Sequence, residues 1–138
     1  MSKTERDLNR VQTRVCERRR GQAEREWRKD PITEYEKELN NRLTETDVNI
    51  RMGSVRRFDE WLLSEIAPQE PEDIVGVRDA ISDDVIHWRD NDLCQDPDLS
   101  LVTIRYSLQS LKSFYNRLNE VNAYAGNPVR DPLNEFWD

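Results

Sequence analysis

Ser100-Leu-Val-Thr-Ile-Arg-Tyr-Ser-Leu-Gln-Ser-Leu-Lys-Ser-Phe-Tyr-Asn-Arg-Leu118, followed by Asn127-Pro128-Val129, decides the fold of this 138-residue chain. Leu101, Ile104, Leu108, Leu111, Tyr115 and Leu118 recur at steps of three and four, which is one apolar stripe on a helix. Ser100 stands where an N-cap is wanted, its hydroxyl placed to accept from an early backbone N–H. The opposite face of the first turns holds Thr103, Arg105, Tyr106, Gln109 and Lys112. Such a helix buries one side in a small core and leaves a polar, partly cationic side outward.

Working outward, the same pattern predicts three more core helices. Asp30-Pro31 opens the first, with Asp as N-cap and Pro at the first helical position. Ile32, Tyr35, Leu39 and Leu43 then follow at helical spacing over residues 31–43. The turn 44–47 offers capping side chains, and a helix over about 46–66 aligns Val48, Met52, Val55, Phe58 or Asp59, Leu62 and Ile66, with Trp61 widening the face. Pro68 stops it, because the ring removes a donor and clashes with the preceding turn. Residues 67–79 read as a loop. Ser82-Asp83-Asp84 reads as the cap of a third helix, with carboxylates where the helix dipole favours them. Ile81, Val85 and Trp88 are expected to face inward, flanked by Ile86 and Leu93. The fourth helix, 100–122, is expected to end at Gly126-Asn127-Pro128. Pro132, Leu133, Phe136 and Trp137 suggest one further short turn. No strand pattern or internal repeat is visible. The fold class expected is all-α: a compact four-helix bundle over 31–130, a charged N-terminal arm over 1–30, and a tail over 131–138.

Composition narrows the function. Apolar residues make up 36% of the chain and charged residues another 36%, so the core must be small. No apolar run approaches the length of a bilayer span, and the first residues lack the apolar stretch of a signal peptide; the expected location is the cytoplasm, with no membrane partner. Residues 1–30 hold ten Lys/Arg and six Asp/Glu, a net of +4, whereas residues 31–138 hold eleven and twenty-two, a net of −11. An acidic body argues against non-specific grip on a polyanion in dilute buffer. Only four of the 21 basic residues are lysines. Many carboxylates and few lysines suit a molar-salt cytoplasm, where repulsion is screened within about 3 Å, so the composition points to a halophilic source; an ordinary acidic mesophilic protein is the alternative. In the arm, Leu8, Val11 and Val15 give only a weak stripe. Arg18-Arg19-Arg20-Gly21 and residues 24–29 are almost wholly polar. The arm thus has little to bury, and reads either as a solvated or mobile helix or as a set of phosphate contacts.

Cys16 and Cys94, far apart in dissimilar surroundings, make a disulfide an unfavoured expectation in a reducing compartment. With His87 as the one histidine, they do not supply the four ligands of a zinc site. There is no glycine-rich phosphate loop and no nucleophile elbow. No metal, cofactor or small-molecule substrate is expected.

Taken in order, several segments resemble a known family: Ile32-Thr-Glu-Tyr35-Glu-Lys-Glu-Leu39; a turn with Thr46; Val55-Arg-Arg-Phe58-Asp-Glu-Trp61-Leu62; Ile81-Ser-Asp-Asp-Val85-Ile86; and Thr103-Ile104-Arg105, Leu108, Leu111, Phe114-Tyr115 and Asn127-Pro128-Val129. Residues 31–130 are similar to the core-binding, SAM-like N-terminal domain of tyrosine recombinases (phage-type integrases), in the style of archaeal members. The resemblance implies a bundle that clamps one face of duplex DNA while a second domain cuts it. It implies that the beginnings of the helices at 46–66 and 100–122 lie against the groove and its phosphates. Thr46, Asn49, Arg51 and Arg56 would make contacts from the first, and Thr103, Arg105, Tyr106, Gln109 and Lys112 from the second; hydroxyls, amides and guanidinium groups near helix N-termini are good phosphate donors. Each of these arginines also has a plain role as a solvated residue paired to a carboxylate, and Thr46 and Thr103 as caps. Phe58, Trp61, Trp88, Phe114 and Tyr115 are expected in the core.

The family's chemistry needs a nucleophilic Tyr, two Arg, a Lys and His/Trp partners around the scissile phosphate. His87-Trp88-Arg89 has the wrong spacing, and no tyrosine here has a basic constellation. The expectation is a DNA-binding module of DNA integration or site-specific recombination that is not itself an enzyme, working on double-stranded DNA and with a full-length recombinase or further copies of itself. A protein-interaction or regulatory module acting on a full-length recombinase is the alternative.

Overall fold

Three side chains picked from the sequence set three of the helix starts. The computed structural model describes residues 5–12, 25–70, 72, 74 and 76–137; Val15, Cys16, Arg18-Arg19-Arg20-Gly21 and the side chains of Phe136 and Trp137 lie outside the described part. We number the helices α1 (residues 5–12), α2 (Arg25–Lys29), α3 (Pro31–Asn40), α4 (Glu45–Trp61), α5 (Ser82–Trp88), α6 (Leu101–Glu120) and α7 (Arg130–Trp137). Asp30 accepts from the Thr33 N–H at 3.2 Å, Thr44 from the Asp47 N–H at 3.3 Å, and Ser100 from the Thr103 N–H at 3.1 Å. Each satisfies an N–H that the first helical turn leaves unpaired. The fold is all-α, and among the described residues there is no strand. The four expected core helices are present, accompanied by α1, α2 and α7.

The predicted stripes become the core. Tyr35 and Leu39 of α3, Val48, Met52, Val55 and Phe58 of α4, and Ile104, Leu108, Leu111, Phe114, Tyr115 and Leu118 of α6 are all buried. Edge-on ring contacts join Tyr35 to Phe114 at 5.2 Å, Phe114 to Tyr115 at 5.2 Å, Tyr115 to Tyr124 at 4.9 Å, and Phe58 to Trp88 at 5.1 Å. Such pairs add about 0.5–1.5 kcal/mol each beyond the area they bury. Trp61 stacks on Phe58 but is only partly buried.

Several boundaries differ from expectation for local reasons. The helix begun by α4 does reach Ile66, as expected, but its last stretch, Leu62–Ile66, is π-helical, closed by the Ala67 N–H on the Leu62 carbonyl at 2.9 Å. α5 likewise runs on through Arg89–Leu93, closed by the Cys94 N–H on the Arg89 carbonyl at 2.8 Å. Its cap is not Ser82. Ile81 is the N-cap residue, and its own N–H donates to the Asp84 carboxylate at 3.0 Å. α6 ends at Glu120, before the expected 122, because Asn122 turns into the left-handed region at φ 62° and the Ala123 N–H returns to the Leu118 carbonyl at 2.8 Å; asparagine tolerates that conformation better than most residues. Asn127-Pro128-Val129 therefore does not terminate the helix but straps the following turn back onto it. The Asn127 amide donates to the Lys112 carbonyl at 2.9 Å and to Asn116 Oδ1 at 2.8 Å, while its Oδ1 accepts from the Val129 N–H at 3.0 Å. Leu101, expected in the stripe, is 68% exposed. It lies in the first turn, past the end of the core, where Leu99 packs instead.

The loop over 67–79 is also better anchored than its composition suggests. Ile74 and Val77 are buried, and Val77–Asp79 form a short 3-10 turn. Two buried phenols hold its end: Tyr115 Oη donates to the Val77 carbonyl and Tyr124 Oη to the Ala80 carbonyl, both at 2.6 Å. Burial, chiefly, pushes both phenols upward from the ordinary tyrosine range, so they stay protonated donors at any ordinary pH.

The N-terminal segment is the largest departure. Leu8 and Val11, the residues of its weak stripe, are exposed, while Arg6 is fully buried and Asn9 nearly so. Arg6 donates to both carboxylate oxygens of Asp84 at 2.8 and 3.0 Å, to both of Glu70 at 2.8 and 3.2 Å, and to the Asp79 carbonyl at 2.9 Å. Arg10 pairs with Asp79 at 3.2 Å. Trp27 of α2 is buried beneath the Arg117 guanidinium, 5.6 Å from its ring centre. α1 and α2 are held by charge complementarity and one tryptophan, a signal that an apolar-stripe search passes over.

Candidate nucleic-acid interface

Helix direction decides which of the nine candidate residues can act together. Tyr35 of α3 meets Phe114 of α6, and Glu38 meets Arg117 at 2.7 Å, so α3 and α6 run parallel. Arg56 of α4 pairs with Glu36 of α3, while Arg51 and Arg42 line one cleft, so α3 and α4 run antiparallel. It follows that α4 and α6 are antiparallel. At the far end of α4, Arg57 grips Asp92 at 2.8 Å and Asp96 at 3.1 Å, just before Ser100. The beginnings of α4 and α6 therefore sit at opposite ends of the pair. With 17 residues in α4, that is about 25 Å at 1.5 Å per residue. The two helix beginnings expected to lie against the groove are thus separated along the pair, because the short turn between α3 and α4 and the long path to α6 make α6 return beside α4 in the reverse sense.

Thr46, Asn49 and Arg51 lie at one end, all exposed. Thr46 and Asn49 are three apart and share a face with Arg56, whereas Arg51, two residues from Asn49, points elsewhere. Arg56 is exposed but held by Glu36. Thr103, Arg105, Tyr106 and Gln109 lie at the other end, also exposed, with Tyr106 at 61%. Thr103 has its hydroxyl 2.9 Å from that of Ser100, within the cap. Lys112 is half-buried, next to the Asn127 strap. Arg105, Gln109 and Lys112, at steps of four and three, form one stripe along α6.

A cleft where α3, α4 and α6 meet gathers the residues that sequence reasoning missed. It is lined by Tyr35, Glu38, Arg42, Arg51, Ser113, Arg117 and Glu120. Arg117 takes both carboxylates, donating from Nη2 to Glu38 at 3.0 Å and from Nη1 to Glu120 at 2.9 Å, and these hydrogen bonds, the one to Glu38 foremost, raise its pKa against the opposing effect of burial. Burial pushes the Tyr35 phenol up, and the charges of Arg51 and Arg42 pull it partly back. Of these residues, only Arg51 stood among the sequence candidates. Arg42 carried no periodic signal, since it sits in the α3–α4 turn.

Among the described residues no cluster of three His, Cys, Asp or Glu side chains could hold a metal ion, and no helix is long and apolar enough to cross a membrane. Cys94 is exposed. In comparisons with known proteins, no family model, no curated protein and no solved structure matches the chain.

Proposed function

We propose that residues 31–130 form a duplex-DNA-binding module of the tyrosine recombinase or integrase type, acting in DNA integration or site-specific recombination, with strand cleavage assigned to none of these residues. One observation carries this reading: the resembling motif divides cleanly between core and surface. Ile104, Leu108, Leu111, Phe114, Tyr115 and Val129 are buried, and Asn127 straps the following turn onto α6. Arg105, Tyr106 and Gln109, interleaved with them, are exposed. Exposed polar side chains at this spacing lie where a ligand can reach them, and guanidinium, phenol and amide groups are suited to phosphate contacts. The antiparallel pair reshapes the contact: a duplex would touch the Thr46–Asn49 end of α4 and the Arg105–Gln109 stretch toward its other end, separated by less than the helix length of about 25 Å. The test is titration with duplex DNA at graded salt. Binding that weakens with salt is expected, and Arg105→Ala and Lys112→Ala should each weaken it evenly across sequences, as phosphate contacts do. Absence of duplex binding at every ionic strength overturns the reading.

A second reading has its own observation. Leu101, Val102 and Tyr106, exposed by 68, 68 and 61%, gather at the start of α6, an apolar spot more suited to a protein surface than to phosphates. A protein-interaction or regulatory role on a full-length recombinase is favoured if a recombinase partner survives nuclease treatment, is lost on Val102→Glu, and DNA binding is absent.

A further inference from the structure

The cleft between α3, α4 and α6 contains two arginines that the acidic body leaves unneutralised. Among the described residues, five arginines elsewhere find carboxylates: Arg6 with Asp84 and Glu70, Arg10 with Asp79, Arg56 with Glu36, Arg57 with Asp92 and Asp96, Arg89 with Asp90; Arg78 binds the Ala123 and Arg28 carbonyls, and the exposed Arg130 stands by itself, outside any cleft shared with a second arginine. Inside the cleft Arg117 occupies Glu38 and Glu120. Arg42 and Arg51 line the same cleft, are exposed, and pair with no carboxylate among the described residues. This is notable where residues 31–138 carry a net charge of −11. Both act on one buried phenol, that of Tyr35, so their charges converge. Ser113, exposed on α6, adds a hydroxyl to the same wall.

We propose that this cleft is a phosphate-binding site, in which Arg42 and Arg51 grip a phosphoryl group and Ser113 donates to it. Guanidinium groups suit this ligand because each offers paired N–H donors matched to two phosphoryl oxygens. Arg117 serves as a positioning residue. Its stacking on Trp27 and its bonds to Glu38 and Glu120 keep those two carboxylates turned toward itself and away from the incoming anion. The phosphoryl group comes either from a DNA backbone or from a free phosphate compound; only the first source rests on the DNA-binding reading above. The rival account is that Arg42 and Arg51 merely offset the carbonyl ends of α3 and α6, where cations are favoured.

The experiment is NMR titration of the full chain, following amide and arginine side-chain N–H signals, with inorganic pyrophosphate and separately with a short DNA duplex. The variants are the double substitution Arg42→Gln with Arg51→Gln and a charge-matched control, Lys29→Gln with Arg130→Gln. Pyrophosphate is expected to move signals of Arg42, Arg51 and Ser113, and the cleft variant to lose that response while the control keeps it. If duplex is the source, the cleft variant should bind it at least tenfold more weakly, with a salt slope shallower by about two. A pyrophosphate response at the cleft without duplex binding supports the site while removing the DNA reading. Duplex binding that the cleft variant retains in full, with no pyrophosphate response, overturns the site while leaving the DNA reading intact. Equal losses in the control, or a cleft variant that loses thermal stability but no binding, also overturn it.

Discussion

Arg6 and the Arg42–Arg51 pair use one side chain in opposite ways. Arg6 lies fully buried between two carboxylates and a carbonyl, with all its nitrogens engaged. Arg42 and Arg51 stand exposed in a cleft whose carboxylates are already taken. The difference teaches that charge in this protein is not one surface property. A buried guanidinium is held by geometry and serves the fold, whereas one at the surface that pairs with no carboxylate costs the fold little and remains available to a ligand.

The comparison is broken most directly by removing Arg6. Arg6→Ala leaves Asp84 buried and uncompensated, and such a loss costs about 3–5 kcal/mol; urea denaturation should show it, and a cost below about 1 kcal/mol would mean that α1 does not hold the body together. Next comes Asn127→Ala, which removes the strap over α6 and should cost about 1–2 kcal/mol by the same measurement, as expected for a partly buried group with several hydrogen bonds.

A pH series sharpens the comparison. The hydrogen bond from Arg6 holds the Glu70 carboxyl below its usual range. A lowered folded-state pKa contributes stability that is present above the ordinary glutamate value and is lost as pH falls through the lowered one. Stability should thus hold from neutral pH down to about 4.5 and then fall, and Glu70→Gln should flatten that acid limb. The smallest expected effect on stability is at the cleft. Arg42→Gln with Arg51→Gln should change unfolding free energy by no more than about 0.5 kcal/mol, as surface changes do. Raising salt to molar levels should weaken phosphate binding there while leaving the buried Arg6 contacts in place, because screening acts on exposed charges far more than on buried ones.

How much was legible depends on how local the signal is. Asp30, Thr44 and Ser100 act on N–H groups three residues ahead, and the stripes of α3, α4 and α6 repeat every turn; both are written in consecutive residues. That the helix reaches Ile66 was legible too, but the π-helical geometry of Leu62–Ile66 was not, since no consecutive pattern marks it. Ser82 read as a cap because it is the right residue type, but Asp84 takes that role from inside the helix. The candidate interface was legible as a set of exposed polar residues and illegible as a site. Exposure follows from position on a helical stripe; proximity between stripes does not.

The sequence alone determined that this protein is all-helical, where its main helices begin, and which of their faces are dry. These follow from hydrogen bonding and apolar periodicity within single segments. Only the tertiary structure decided that α4 and α6 run in opposite directions, that Arg6 belongs to the core, and that Arg42 and Arg51 share a cleft. Each of those outcomes sets residues distant in the chain side by side, and Coulomb and packing energies between them depend on separations that no local pattern records.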